Sequence, residues 1–288
     1  MEKQQSLFNR ILTFGLIGIY FLFSFTPIFW LLLSSFKTRM DLFAMPPKLF
    51  FTPTLDGYKS LFFVFYKDGT SALSSDKITT LVNSITISLT ATVLAVILGT
   101  MAGYAVSRFD FKGKGDFMFF VLSTRMLPAV AVLVFFHIMF FKVGLADSRL
   151  GMIILYIMVN LGLATWLMKG FFDGVPTDVE EVALVNGYSR LYAFWHLVLP
   201  MVKGGIAATF GFSFIFAWNE FSFASVITTT KACTLPVKMI LALGKEGLDW
   251  GIISASGVFL ITPVAILFFL IREHLLMGMT FGVLGRKQ

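Results

Sequence analysis

Charge is scarce in this chain. Only 14% of its 288 residues are Asp, Glu, Lys or Arg, against roughly 25% in soluble domains. With 57% hydrophobic residues and a mean hydropathy of +0.84, that scarcity excludes a soluble globular domain. Cysteine is nearly missing: the single Cys233 excludes an intrachain disulfide and a Cys-rich metal site. The three histidines, His137, His196 and His274, stand far apart without ligand spacing. No Gly-x-x-x-x-Gly-Lys-Ser/Thr stretch occurs, so the chain does not cradle ATP in that way. Nor does any nucleophile–base pairing recur at a workable spacing. Paired Asp, Ser/His or His-Glu-x-x-His inside an apolar run is missing too, which excludes an intramembrane protease. The chain alone shows no energy source. Its net charge of +7 suits a surface of anionic lipid. It does not point to nucleic acid, because Lys and Arg are dispersed along the chain.

What the chain has is long apolar runs. A spanning helix needs about 20 mostly apolar residues. Six stretches qualify: Ile11–Phe36, Ile78–Ser107, Phe117–Phe141 interrupted by Pro128, Leu150–Met168, Gly204–Thr228 and Gly251–Ile271. Lys3 and Arg10 before the first run imitate a signal peptide, but the run is too long and no small-residue cleavage site follows. Residues 37–77, with Pro46-Pro47 and Pro53, read as an extended loop with one short helix. The expected fold is an all-α polytopic membrane protein of six spans, one transmembrane domain over residues 1–288. No internal repeat stands out. The Lys/Arg asymmetry is weak, but the cluster Arg108, Lys112 and Lys114 favours cytoplasmic N- and C-termini.

One polar insert, residues 169–203, breaks the pattern between the fourth and fifth spans. Hairpins between spans manage with far fewer residues, so a structured insert of this length implies a partner. Pro176, Thr177 and Asp178 suit a helix start, and Glu180 and Glu181 favour its positive end. Gly187 stops that helix at a chain reversal, and Leu199-Pro200 closes a second short helix. The competing reading is an amphipathic helix lying on the membrane; the acidic start and glycine turn suit an anionic surface poorly.

The pattern Glu-Glu-x-Ala-x-x-x-Gly, followed by Phe194 and Leu199-Pro200, resembles the "EAA" coupling loop of ABC-importer permeases. The likeness extends along the chain. Leu31–Lys37, Asn83-Ser84, Ala102–Phe109, Met126-Leu127-Pro128, Trp218-Asn219-Glu220-Phe221, Thr234–Val237 and Gly278–Gly282 resemble, in order, stretches of the carbohydrate family typified by the maltose importer. The chain resembles the shorter of the two permeases. Val182, Asn186, Tyr188 and Gly204 depart from the family pattern, and Asn186 removes a charge from the coupling loop.

The resemblance implies a type I importer fold in a bacterial inner membrane, with both termini cytoplasmic because the ATPases are. It implies a second permease, two ATPase subunits that hold ATP and magnesium, and an extracytoplasmic binding protein that delivers a sugar. It assigns Glu180, Glu181, Ala183, Asn186, Gly187, Leu199 and Pro200 to ATPase coupling, with Ala183 giving a partner room to approach. It also implies that the tail, residues 272–288, packs at the ATPase dimer. A related polyamine or phosphate permease and a stand-alone secondary transporter are the competing functions. The coupling loop and the missing repeat argue against the latter.

Polar groups within spans are costly and mark candidate path residues. These are Asn83, Arg125, Asn160, Trp218, Asn219 and Glu220. A cation at the depth of Arg125 costs about 2.5–3.5 kcal/mol on insertion scales, a cost that a carboxylate or a wet cavity offsets. Glu220 is one possible partner and an acidic saccharide another; a structural ion pair is the plainer alternative. For Trp218, Asn219 and Glu220 the alternative is helix packing and hydrogen bonding.

Overall fold

The computed structural model describes residues 7–65, 71–245 and 250–284, with side chains over 12–63, 74–240 and 250–272. Asp249 and the last four residues of the expected tail, 285–288, lie outside the described residues. The chain is helical nearly throughout. The first span is α1 (Leu7–Ser34), followed by two short helices, α2 (Arg39–Leu42) and α3 (Asp56–Phe62). A small antiparallel hairpin pairs β1 (Phe63–Phe65) with β2 (Ser71–Leu73). Then come α4 (Ser75–Arg108), α5 (Lys114–Met126), α6 (Ala129–Lys142) and α7 (Arg149–Asp173). The insert holds α8 (Asp178–Val185), α9 (Arg190–Ala193), a π turn (Phe194–Val198) and α10 (Leu199–Met201). The remainder is α11 (Lys203–Trp218), α12 (Ser222–Ile227), α13 (Leu235–Lys245) and α14 (Trp250–Leu284).

Among the described residues five helical stretches are long and apolar enough to cross a membrane, or six with α5 and α6 taken as one span. Three expected spans are corrected in shape. At Pro128 the third is bent by 95°. Proline has no N–H to donate and forces its predecessor out of the helical region, and Leu127 is extended at ψ 123°. The fifth span is not continuous over Gly204–Thr228. It breaks at residues 219–221, where the Asn219 side-chain amide turns back onto Ile215 O. Glu220 then accepts from the backbone N–H groups of Phe223 and Ala224 at 2.9 and 3.1 Å, satisfying the first turn of α12. The sixth does not stop at Ile271, because the charged residues that follow are good helix formers. The loop after the fifth span contains a helix, α13, whose Pro236 sits in the first turn where its missing N–H costs nothing.

The chain forms two compact units, residues 1–77 with 239–262 and residues 78–238 with 263–288. In the first, Gly57 lies so close to Gly251 that an added Cβ would meet Gly251 O at 2.7 Å. The Phe62 ring meets Phe259 edge-on at 5.5 Å. Lys37 is buried with its ammonium 4.4 Å from the centre of the Trp30 ring and 5.3 Å from that of Phe51, so aromatic faces replace lost water.

In the second unit α4 packs on α7 at glycines. A Cβ on Gly103 would meet Lys169 N at 2.8 Å, and one on Gly99 would meet the Ala164 side chain. Small residues let two backbones approach where lipid gives no hydrophobic drive for helix association. The buried core beside this contact includes Ile87, Ala91, Leu155, Tyr156 and Ile227.

Asp147 organises one end of that unit. It sits at a positive φ of 49° in the turn before α7. Its carboxylate accepts from the N–H groups of Thr229, Thr230, Lys231 and Ala232 and from two threonine hydroxyls. Partial burial alone would raise its pKa. The donors, Ala232 N–H and Thr229 foremost, outweigh it and hold the carboxyl well below the usual carboxylate range.

Two outcomes follow. Gly103→Leu drives a side chain into α7 and lowers the detergent-solubilised protein's thermal stability by about 1–3 kcal/mol, as overpacking does; Ala at the same site costs less. Asp147→Asn turns two donors toward donors and costs at least about 2 kcal/mol. Because the folded pKa is depressed, the carboxylate's contribution is complete above the unfolded value of about 3.9 and fades only as pH falls through the lower folded value. The wild-type minus Asp147→Asn difference in thermal midpoint is therefore flat from pH 8 to 5.

Candidate functional site

The insert presents two faces, and the first is turned inward. Glu180, 7% exposed, accepts at 2.6 Å from the hydroxyl of Tyr104 on α4. Its other oxygen pairs with Arg108 Nε, and Arg108 donates on to Val175 O at 2.8 Å. Tyr104 also carries an aromatic cluster, with Phe194, Phe172 and Phe109 at centroid distances of 4.6, 5.4 and 6.2 Å. Arg190 of α9 stacks over Phe109 at 5.5 Å. Beside them Ser107 and Lys169 both donate to Asp173. The insert is thus fixed to the end of α4 by a buried ion pair, a tyrosine and stacked rings.

Two of the residues expected in coupling face inward. Glu180 is spent on Tyr104 and Arg108 inside the chain. Ala183 is buried as well, so its small size serves close approach within the chain, not that of a partner. The helical period explains both: positions 180 and 183 share one face, and 181, 182 and 185 share another.

The second face is open. Glu181, Val182, Val185 and Asn186 are exposed, Val185 at 88%. Tyr188, Leu191 and Trp195 continue the exposed apolar surface. The turn joining α8 to α9 has Gly187 at φ +84°. Its N–H donates to Leu184 O, and the Tyr188 N–H reaches back to Ala183 O, both at 3.0 Å. That is the paired-bond helix ending that a glycine permits. Asn186 adds a bond from its side-chain amide to Val182 O at 2.7 Å. Thr177 stands at the start of α8 without a side-chain capping bond.

Leu199-Pro200 does not end the second helix. The chain stays helical from α9 through the π turn into α10. A proline ring clashes with the carbonyl four residues earlier, here that of His196, and the wider π turn gives it room. Leu199 packs against the cluster of Met168, Phe172, Phe194 and Val198. Pro200 is exposed.

The path candidates separate by the same reading. Asn83 is fully buried and uses its whole amide: it donates to Lys231 O and Cys233 O and accepts from Arg149 at 2.7 Å. It ties α4 and α7 to the segment before α13 and presents no face to a path. Trp218 is buried and stacked with Phe214. Asn160 is buried and donates to Tyr156 O, while its amide oxygen has no partner among the described residues. Arg125 and Glu220 do not pair. Glu220 is occupied at the start of α12, and Arg125 reaches Val159 O and the ring of Phe216. Asn219 is exposed beside the break in the fifth span.

Arg108, Tyr104 and Asp147 are the residues that sequence reading missed in these roles. Arg108 entered it only as a loop charge, and its partner lies 72 residues away. The single signal was a basic residue ending one long span and an unexplained second acid in the insert.

Glu180→Ala leaves the buried Arg108 charge without its carboxylate, which costs about 3–5 kcal/mol; limited proteolysis of the insert then accelerates. Glu181→Ala, on the open face, leaves stability in thermal unfolding within about 0.5 kcal/mol of wild type. Gly187→Val strains a left-handed turn by about 1–2 kcal/mol and alters the insert's protease pattern while membrane insertion persists.

Comparison with known proteins gives the family. The profile of the family described as "Binding-protein-dependent transport system inner membrane component" matches residues 95–280. The probable ABC transporter permease protein y4oR of Sinorhizobium fredii is 31% identical, with 92% of this chain and 91% of that protein covered. The sulfoquinovosyl glycerol transport system permease protein SmoH of Agrobacterium fabrum is 30% identical, covering 89% and 87%. A crystal structure of a bacterial ABC transporter involved in the import of the acidic polysaccharide alginate contains a chain with the same fold. Its TM-score is 0.73 at 19% identity, over 95% of this chain and 98% of that one. Five to six apolar helices and a folded insert anchored on the end of α4 accompany a profile match over most of the length. The chain therefore belongs to the inner-membrane permease components of binding-protein-dependent ABC transport systems.

Proposed function

We infer that this chain is one of two permease subunits of an ATP-driven saccharide importer. The observation that carries this is the two-faced insert. Its inner face is locked to α4 by Glu180, Arg108 and Tyr104, while its outer face offers an acid, Glu181, within exposed apolar side chains. A surface of that kind fits a basic, grooved partner of the ATPase class. Displacement of the insert by that partner moves α4 as a rigid lever, since the joint between them is buried and charged. Opening and closing of the path then reflects differential contacts in two states.

The remaining parts of the reading follow the family. The second permease completes the path, an extracytoplasmic binding protein delivers cargo, and two ATPase subunits hold ATP and magnesium. Both termini and the insert face the cytoplasm. A saccharide cargo is supported by the relatives, among them SmoH and the trehalose/maltose transport system permease protein MalG of Thermococcus litoralis, 32% identical over 70% of this chain.

The test is reconstitution of the complete complex in proteoliposomes with its binding protein. Addition of cargo-loaded binding protein raises ATP hydrolysis several-fold, and an oligosaccharide is the stimulating cargo. Glu181→Lys, a charge reversal on the open face, abolishes co-purification of the ATPase while the two permeases remain together. An ATPase retained by Glu181→Lys overturns the docking reading, and stimulation by a non-saccharide alone overturns the cargo.

A further inference from the structure

Arg125 is a cation placed where a membrane protein has reason to avoid one. It stands about three turns, or roughly 16 Å, along α5, in a stretch that together with α6 is apolar enough to span a membrane. Its helix lies close against α7: a Cβ on Gly162 would strike Val121 O at 2.9 Å and meet Thr124 Oγ1 at 3.2 Å, with Arg125 Cγ beside them at 3.8 Å. The guanidinium lies 4.6 Å from the centre of the Phe216 ring and donates once, to Val159 O at 3.2 Å. A guanidinium has five N–H donors. No carboxylate among the described residues forms an ion pair with it. Glu220, the acid within the neighbouring fifth span, has both oxygens on backbone N–H groups of α12.

The surroundings are those of a binding point. Both discontinuities of the unit flank it: the 95° bend at Leu127-Pro128, two residues beyond Arg125, and the break after Trp218. Interrupted helices near the bilayer midplane expose backbone groups that only a protein interior or a wet cavity tolerates. Asn219 follows Phe216 by three residues and closes the C-terminal end of α11. It is exposed, and its amide oxygen has no partner among the described residues. Phe216 itself is half-exposed. A planar cation therefore lies on an exposed aromatic ring, three residues before an exposed amide.

We propose that Arg125, laid on Phe216 beside Asn219, is a contact on the translocation path for an anionic saccharide. It takes a carboxylate or sulfonate oxygen of the cargo on the unused edge of the guanidinium. The proposal rests on the importer reading above and names the class of its cargo. A neutral sugar asks for hydrogen bonds alone, which asparagine or serine supplies without a buried charge. The fork of arginine, held flat by the ring, matches two oxygens of one anionic group. A carboxylate from the second permease is the rival for the same edge, and the experiment separates the two.

The complete complex, with its binding protein, is reconstituted in proteoliposomes. Uptake is compared for a labelled uronate trisaccharide and its carboxyl-reduced neutral analogue, identical in length and linkage. Wild type is expected to import the uronate in preference to the analogue. Arg125→Gln is expected to lose uronate uptake by about tenfold to a hundredfold, as loss of a charged hydrogen bond does, with neutral uptake within about twofold of wild type. Arg125→Lys, which keeps charge and loses the fork, falls between them. Equal loss for both cargoes overturns the proposal and assigns the edge to a protein carboxylate. Failure of Arg125→Gln to assemble overturns it in the same way, and the wild-type comparison still stands by itself. Wild type importing only the neutral analogue overturns the acidic cargo alone. Uptake of neither, with no saccharide stimulating ATP hydrolysis, overturns the importer reading with it.

Discussion

A polar group within hydrocarbon finds no water, so it must be satisfied by its own chain, by a partner or by cargo. Most polar residues of this protein obey the first option, and the architecture follows from how they do so. Asn83 spends its amide on Lys231, Cys233 and Arg149. Glu220 starts α12 where the fifth span is broken. Asp147 collects the backbone of residues 229–232. Each is a tie between segments that apolar packing alone would leave without a preferred register. Between the ties, glycines at 99 and 103 let α4 and α7 approach closely enough for van der Waals contact to hold them.

The same rule locates function by exception. Glu180 and Arg108 neutralise each other in a buried joint, leaving Glu181 one residue away in the open. The two acids sit side by side in sequence with opposite assignments, one binding the insert to its own span and one facing outward. The joint itself is buried and charged, and it fixes the insert to α4. Arg125 is the other exception: its charge is left without an internal carboxylate among the described residues, two residues before the bend in the third span.

Broken helices carry much of this. The bend at Pro128 divides the third span near its middle, and the gap at residues 219–221 cuts the fifth into a long helix, α11, and a short one, α12. The π turn before Pro200 instead keeps a helix intact through a proline, so that only Val202 separates the insert's last helix from α11. Which outcome a proline produces depends on whether the preceding turn can widen. Leu127 goes extended, whereas the Leu199 N–H finds Phe194 O.

Apolar run lengths alone determined that this chain crosses a membrane, and roughly where, because a bilayer imposes a length of about 20 residues on any span. Local sequence also determined the insert: an acidic start, a glycine stop and their spacing are properties of consecutive residues, and Gly187 does occupy the left-handed turn. Local sequence could not decide what each residue faces. The period that turns Glu180 and Ala183 inward leaves Glu181 outward, and only contact with Tyr104 and Arg108, 76 and 72 residues away, says which side is inside. Nor could it show that Asn83 is a cross-link and that Arg125 and Glu220 ignore each other. Those facts depend on three-dimensional neighbours, and burial of a polar group is favourable or ruinous according to those neighbours alone.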